Sequence, residues 1–228
     1  MQLPDYYLPR PSIPLDARTI TAYEALWTQI LANPESEDLI YTLGTPRWHF
    51  LCYLADHKPV LLHGSGNPNV ALFEPRQATD ILDFGNRAAV YAASDGIWPI
   101  YFAILDRDQY PMSLNNSCIR VETATEKRSE PFYYFSISQS ALVHQPWRTG
   151  TVYILPRNTF EPQPPIPNGD VSVHVMQWAS PSPVVPLAKL RVTPEDFPFL
   201  DQIRGHDDQV QQARIRANPD GFPWLEDA

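Results

Sequence analysis

Between residues 117 and 192 the chain runs through a succession of short β-rich stretches, SCIRVETA, FYYFSIS, GTVYILP, VSVHVMQW and PLAKLRV, each bounded by turn residues. The preceding segment follows a different pattern. Leu26, Trp27 and Ile30 fall on one helical face that ends at Asn33-Pro34, and Thr21 and Glu24 have capping-box spacing. A second helix is predicted from about Pro46, with Trp48, Phe50, Leu51 and Leu54 buried on it. Residues 59–63 then read as a short buried strand ending in the loop Gly64-Ser65-Gly66, and residues 88–93 as another. Residues 94–105 open on two N-cap candidates, turn apolar and predict a helix with Pro99 in its first turns. Helices and strands first, strands alone afterwards, predict an α+β fold with a split or mostly antiparallel sheet and N-terminal helices.

The chain has 228 residues, 43% of them hydrophobic, which suits one sizeable core and leaves little room for two. A single domain over 1–228 is expected. Its N-terminal segment, 1–15, is extended, and its tail, 193–228, carries a short helix near 207–217. The formal charge of −9 disfavours general binding to nucleic acid or anionic membrane. There is no apolar run of about 18 residues and no signal-peptide pattern at the start. Cys52 and Cys118 alone suggest neither a disulfide framework nor a cysteine metal site, so a reduced, cytoplasmic protein is expected. The histidines show no metal-ligand spacing.

One stretch carries chemistry. LLHGSGNPNVALFEPR is followed, after a spacer, by FGNRAAVYAASDGIWPIYFAIL. Glycine at 64 lets a flat carboxamide approach the backbone, and Ser65 adds a hydroxyl to the same group. His63 can hydrogen-bond a ribose hydroxyl. Tyr91 offers a face for an aromatic ring, and Tyr101 or Phe102 a second one. Arg76 follows at a distance suited to a diphosphate, with the bidentate geometry that an arginine brings.

These motifs, a His-Gly-Ser strand and then a Gly-x-x-x-x-Val-Tyr-Ala strand with the tyrosine 28 positions after the histidine, resemble the ADP-ribosyltransferase-like superfamily, in its poly(ADP-ribose) polymerase and diphtheria-toxin branch. The resemblance covers residues 59–105. It implies an ADP-ribosyltransferase-like split sheet and NAD as substrate. It further implies His63, Gly64, Ser65, Tyr91, Tyr101 and Arg76 around the dinucleotide, with His63 and Tyr91 on neighbouring strands facing one cleft. The family's third position, normally a glutamate on a late strand, aligns with Gln177. That substitution argues against poly-ADP-ribose growth. It leaves mono-ADP-ribosyl transfer to an unknown protein or small-molecule acceptor, NAD hydrolysis, a non-catalytic NAD or ADP-ribose binding module, or an interaction protein on the same fold. Glu161, Asp170 and Glu74 are the fallback carboxylates.

Overall fold

The computed structural model describes residues 3–33, 38–78, 83–124 and 128–225. In chain order its elements are β1 (Leu8–Pro9), α1 (Ala17–Ala32), α2 (Arg47–His57), β2 (Val60–Ser65), β3 (Arg76–Gln77), β4 (Ala88–Ala93), α3 (Trp98–Ile104), β5 (Leu114–Thr123), β6 (Phe132–Ser138) and α4 (Gln139–Leu142). They continue with β7 (Gly150–Pro156), β8 (Glu161–Pro162), β9 (Ile166–Asn168), β10 (Val171–Val175), β11 (Gln177–Ser180), β12 (Ala188–Val192), β13 (Arg204–His206) and α5 (Asp208–Ala217). The fold is α+β with two mostly antiparallel sheets and few helices. One sheet has the order β1-β6-β5-β10-β9, with β13 pairing parallel to β6. The other has the order β12-β7-β2-β4-β11-β8, with β3 on β4.

The run VSVHVMQW serves both sheets. Its first half is β10, paired with β5, and its second half is β11, paired with β4. Met176 is the transfer point: its N–H donates to the Cys118 carbonyl (2.9 Å) and its carbonyl accepts from the Ser94 N–H (3.0 Å). The backbone groups left free by each ladder are thus satisfied across the gap, as buried backbone requires.

The helices form where the apolar spacing predicts, with one revision at a cap. Tyr23, Leu26, Trp27 and Ile30 are the buried face of α1. Its N-cap is Asp16, whose carboxylate accepts from the Thr19 N–H, so Thr21 and Glu24 lie inside the helix and make no capping box. Glu24 instead holds the Lys58 ammonium (2.6 Å) and the Tyr53 hydroxyl. Trp48, Phe50, Leu51 and Leu54 are buried on α2.

The tail after residue 193 belongs to the core. Phe197 and Phe199 pack on Phe135, whose ring also lies 4.8 Å from that of Tyr101. The C-terminal segment is also fixed by polar contacts. His206 meets Ser136 through Nδ1 (2.6 Å) and Ser113 through Nε2 (2.7 Å), and Asp208 accepts from the Ser138 hydroxyl (2.7 Å). Among the described residues no helix is long and apolar enough to cross a membrane.

Candidate functional site at the parting of two strands

Helix α3 lies over β2 and β7. Its start is set by Asp95, one of the two N-cap candidates. That buried carboxylate accepts from the Ile97 and Trp98 N–H groups through Oδ1 (both 2.8 Å) and from the Tyr133 hydroxyl through Oδ2 (2.7 Å). Burial pushes its pKa up, and the three donors partly oppose that. The helix is shorter than the apolar run, because residues 94–97 are spent on this cap. Glycine at 64 is what admits the helix: a Cβ there would stand 1.7 Å from the Pro99 carbonyl oxygen. Gly64 therefore has a structural duty alongside the expected role beside a carboxamide.

Strands β2 and β4 are neighbours, registered at Leu62 and Ala93. That register corrects the expectation that the His63 and Tyr91 side chains face one cleft. Antiparallel partners share a face and successive residues alternate. His63 therefore shares its face with Leu61 and Ala92, whereas Tyr91 projects with Ala93 from the face that carries α3. On its own side the His63 ring lies 4.7 Å from that of Phe73, in the cluster of Leu61, Val90, Ala92, Tyr153 and Leu155. It nevertheless reaches β4 along the sheet, with Nδ1 2.7 Å from the Tyr91 backbone carbonyl. A carbonyl only accepts, so Nδ1 carries the proton and Nε2 keeps its lone pair. Burial lowers the His63 pKa, which favours this neutral form. Among the described residues Nε2 has no protein partner.

The face of Tyr91 gathers several expected residues. Gln177 pairs with Ala93, Ala179 with Tyr91, and Arg76 with Ala89. Arg76, Tyr91 and Gln177 thus project from one face of three adjoining strands. Tyr91 and Gln177 are half-buried and Arg76 is exposed. The phenol oxygen of Tyr91 accepts from the Arg87 N–H and donates to the Phe84 carbonyl (both 2.9 Å), tying its own entry loop over the ring edge. Ser65 lies at the end of β2, where its hydroxyl accepts from the Asn67 N–H (3.1 Å) and keeps its own proton available.

Tyr101 requires a second correction. It is fully buried and its hydroxyl donates to the Ser136 carbonyl (2.9 Å), so it is a core residue joining α3 to β6 and not a ligand contact. Phe102, its neighbour on α3, is the half-buried ring. Of the fallback carboxylates, Asp170 lies in the turn between β9 and β10 of the other sheet, and Glu74 is exposed just before β3. Sequence reasoning missed the link from Asp95 to Tyr133 and the crossing at Met176. Both join segments distant in sequence, and the only local signal was the N-cap pattern at residues 94–95. Comparison with protein-family models, curated proteins and solved structures gave no match.

Proposed function

We propose that the mouth where β2 and β4 part is an NAD site of the ADP-ribosyltransferase-like kind, and that the protein transfers a single ADP-ribosyl group or hydrolyses NAD with release of nicotinamide. The observation that carries this reading is the fixed tautomer of His63. Its Nδ1–H is committed to the Tyr91 carbonyl, and Nε2 is left as an acceptor for a hydroxyl such as that of ribose. Ser65, on the same face of β2 as His63, contributes a hydroxyl proton for a carboxamide oxygen; Tyr91 and Arg76 project from the opposite face of the sheet, and their parts as aromatic surface and diphosphate cation rest on the resemblance alone. The split-sheet arrangement of the superfamily belongs to the same proposal, supported by the passage of one run of chain between the two sheets at Met176.

A second reading keeps the binding and drops the reaction, because Gln177 is uncharged where a carboxylate would stabilise the sugar cation. Nicotinamide release from NAD by the purified protein, with and without candidate acceptors, separates the two. Titration calorimetry with NAD tests what they share. Absence of binding at millimolar NAD would remove both.

A further inference from the structure

The ladder of β5 and β6 has two unlike faces. Its register pairs Asn115 with Ser136 and Ser117 with Tyr134, which puts these four residues on one face and Leu114, Cys118, Phe135 and Ile137 on the other, in the core. The first face is polar, yet Asn115, Ser117, Ser136 and Ser138 are all buried. The end of the chain covers it. Strand β13 extends the sheet beside β6, with His206 opposite Ser138. Phe222 packs edge-on to Tyr134, and Asn115 donates to the Pro223 carbonyl (2.9 Å). A cover held by hydrogen bonds to a polar face contributes little net free energy, because water replaces each bond on opening.

His206 stands at the head of this cover. The Ser113 hydroxyl donates to Asp208 Oδ1, so Ser113 Oγ takes the Nε2–H of His206 (2.7 Å). Nδ1 is then the acceptor for the Ser136 hydroxyl (2.6 Å), and Ser138 donates to Asp208 Oδ1 (2.7 Å). A proton on Nδ1 replaces that acceptor with a donor aimed at a fully buried hydroxyl. Asp208, whose Oδ1 lies 3.4 Å from Nε2, and Asp207 at the N-cap of α5 favour the imidazolium. Arg204 is exposed on the same strand, β6 and Ser113 offer only hydroxyls, and α4 meets β13 through the uncharged Gln139 and Leu142. Burial outweighs the two acids and holds the His206 pKa below its usual value. The closed form therefore binds fewer protons than an open one, and acid favours opening below about pH 6.5. Burial of Asp208 is outweighed by its hydrogen bonds with Ser113 and Ser138, so it stays ionised across this window.

We infer that the segment from Arg204 to Trp224 is a strap that opens in acid, with His206 as its sensor, and uncovers the polar face of β5 and β6. This strap is independent of the NAD site proposed above. Hydrogen exchange read by mass spectrometry, corrected for the intrinsic pH dependence of amide exchange, tests it at pH 7.5 and 5.5. One histidine titrating near 6.5 when open limits the effect to about tenfold, so amides of 204–217 should open about three- to tenfold more at pH 5.5 while those of β7 stay unchanged. His206→Gln supplies a side-chain N–H and C=O for the same two serines and should change less than about 1.5-fold. Asp208→Asn removes an anion that favours the imidazolium, so its change should be at least as large as that of the wild type. A wild-type change under twofold, a His206→Gln change equal to that of the wild type, or loss of protection in β7 in step with 204–217 overturns the inference. If His206→Gln is already open at pH 7.5, Asp208→Asn decides, and a change smaller than that of the wild type overturns the inference.

Discussion

His63 is bonded to the backbone of Tyr91 and not to its ring: imidazole Nδ1 stands 2.7 Å from the Tyr91 carbonyl, across the gap between two diverging strands. Because the carbonyl cannot donate, this contact fixes which nitrogen is protonated. It also links the histidine to pH. Burial lowers the folded pKa of His63, while the unfolded chain titrates near 6.5. The unfolded state therefore binds more protons, and the contribution of His63 to stability is full above about pH 6.5 and is lost as pH falls through the folded pKa.

The first prediction follows directly. The thermal midpoint of the wild type should drop on acidification from pH 7.5 to 5.5, and the drop should be smaller in His63→Gln, which keeps an N–H for the carbonyl but does not titrate. NAD affinity should weaken only as pH falls through the folded pKa, below 6.5, where a protonated Nε2 no longer accepts a hydroxyl. Equal acid sensitivity in the two proteins would contradict the assignment.

Two glycines close in sequence should respond very differently to alanine. At Gly64 the new methyl meets the Pro99 carbonyl at 1.7 Å, a backbone atom that α3 cannot move cheaply. At Gly66 it meets the guanidinium of Arg148 at 3.2 Å, the end of a flexible side chain. Gly64→Ala is expected to cost about 3 kcal/mol or more, and Gly66→Ala about 1 kcal/mol or less. Denaturant midpoints would show it, and equal losses would place α3 elsewhere.

Asp95 caps α3 and bonds Tyr133 in one buried carboxylate. Asp95→Ala leaves three buried donors without an acceptor, which should cost about 3 kcal/mol or more. Asp95→Asn keeps Oδ1 for the two N–H groups and can donate to the Tyr133 oxygen, so its loss should be less than half as large. Chemical denaturation of both variants checks the ordering, which a purely surface role for Asp95 would not produce.

The two halves of Tyr91 should separate by mutation. Tyr91→Phe removes the hydroxyl that ties Phe84 and Arg87, and should lower stability by about 1 kcal/mol with NAD affinity little changed. Tyr91→Ala also removes the ring and should cost about 1 kcal/mol or more in binding beyond the area lost. Calorimetry that finds the two variants binding NAD alike would exclude stacking on this ring.

Gln177 shares the face of Tyr91, and if the proposed NAD site extends over that face, Gln177→Glu puts a charge beside the ribose. Nicotinamide release should rise at least about tenfold while the dissociation constant for NAD stays nearly constant, because the charge acts mainly in the transition state. If Gln177 itself holds the ribose 2′-hydroxyl, Gln177→Ala should slow the wild-type rate. A rate indifferent to both substitutions would show that residue 177 lies outside the reacting centre.

Much of the secondary structure was legible in the amino-acid order, because it is set by local periodicity. The buried faces of α1 and α2, the β-rich runs after residue 117 and the strand that ends in His63-Gly64-Ser65 all follow from side-chain spacing and turn residues. What periodicity leaves open is pairing. The sequence places Tyr101 in an aromatic helix, but only the tertiary structure shows its hydroxyl committed to Ser136, in the core. Likewise a residue alternation does not say which strand lies alongside. The single registration of Leu62 with Ala93 sends His63 and Tyr91 to opposite faces, and the registers of Tyr91 with Ala179 and Ala179 with Glu161 bring a loop-edge carboxylate into line with a tyrosine 70 positions earlier. Local spacing decides what each segment can be. Which side chains share a face depends on long-range hydrogen-bond register, where a shift of one residue turns every side chain to the other side.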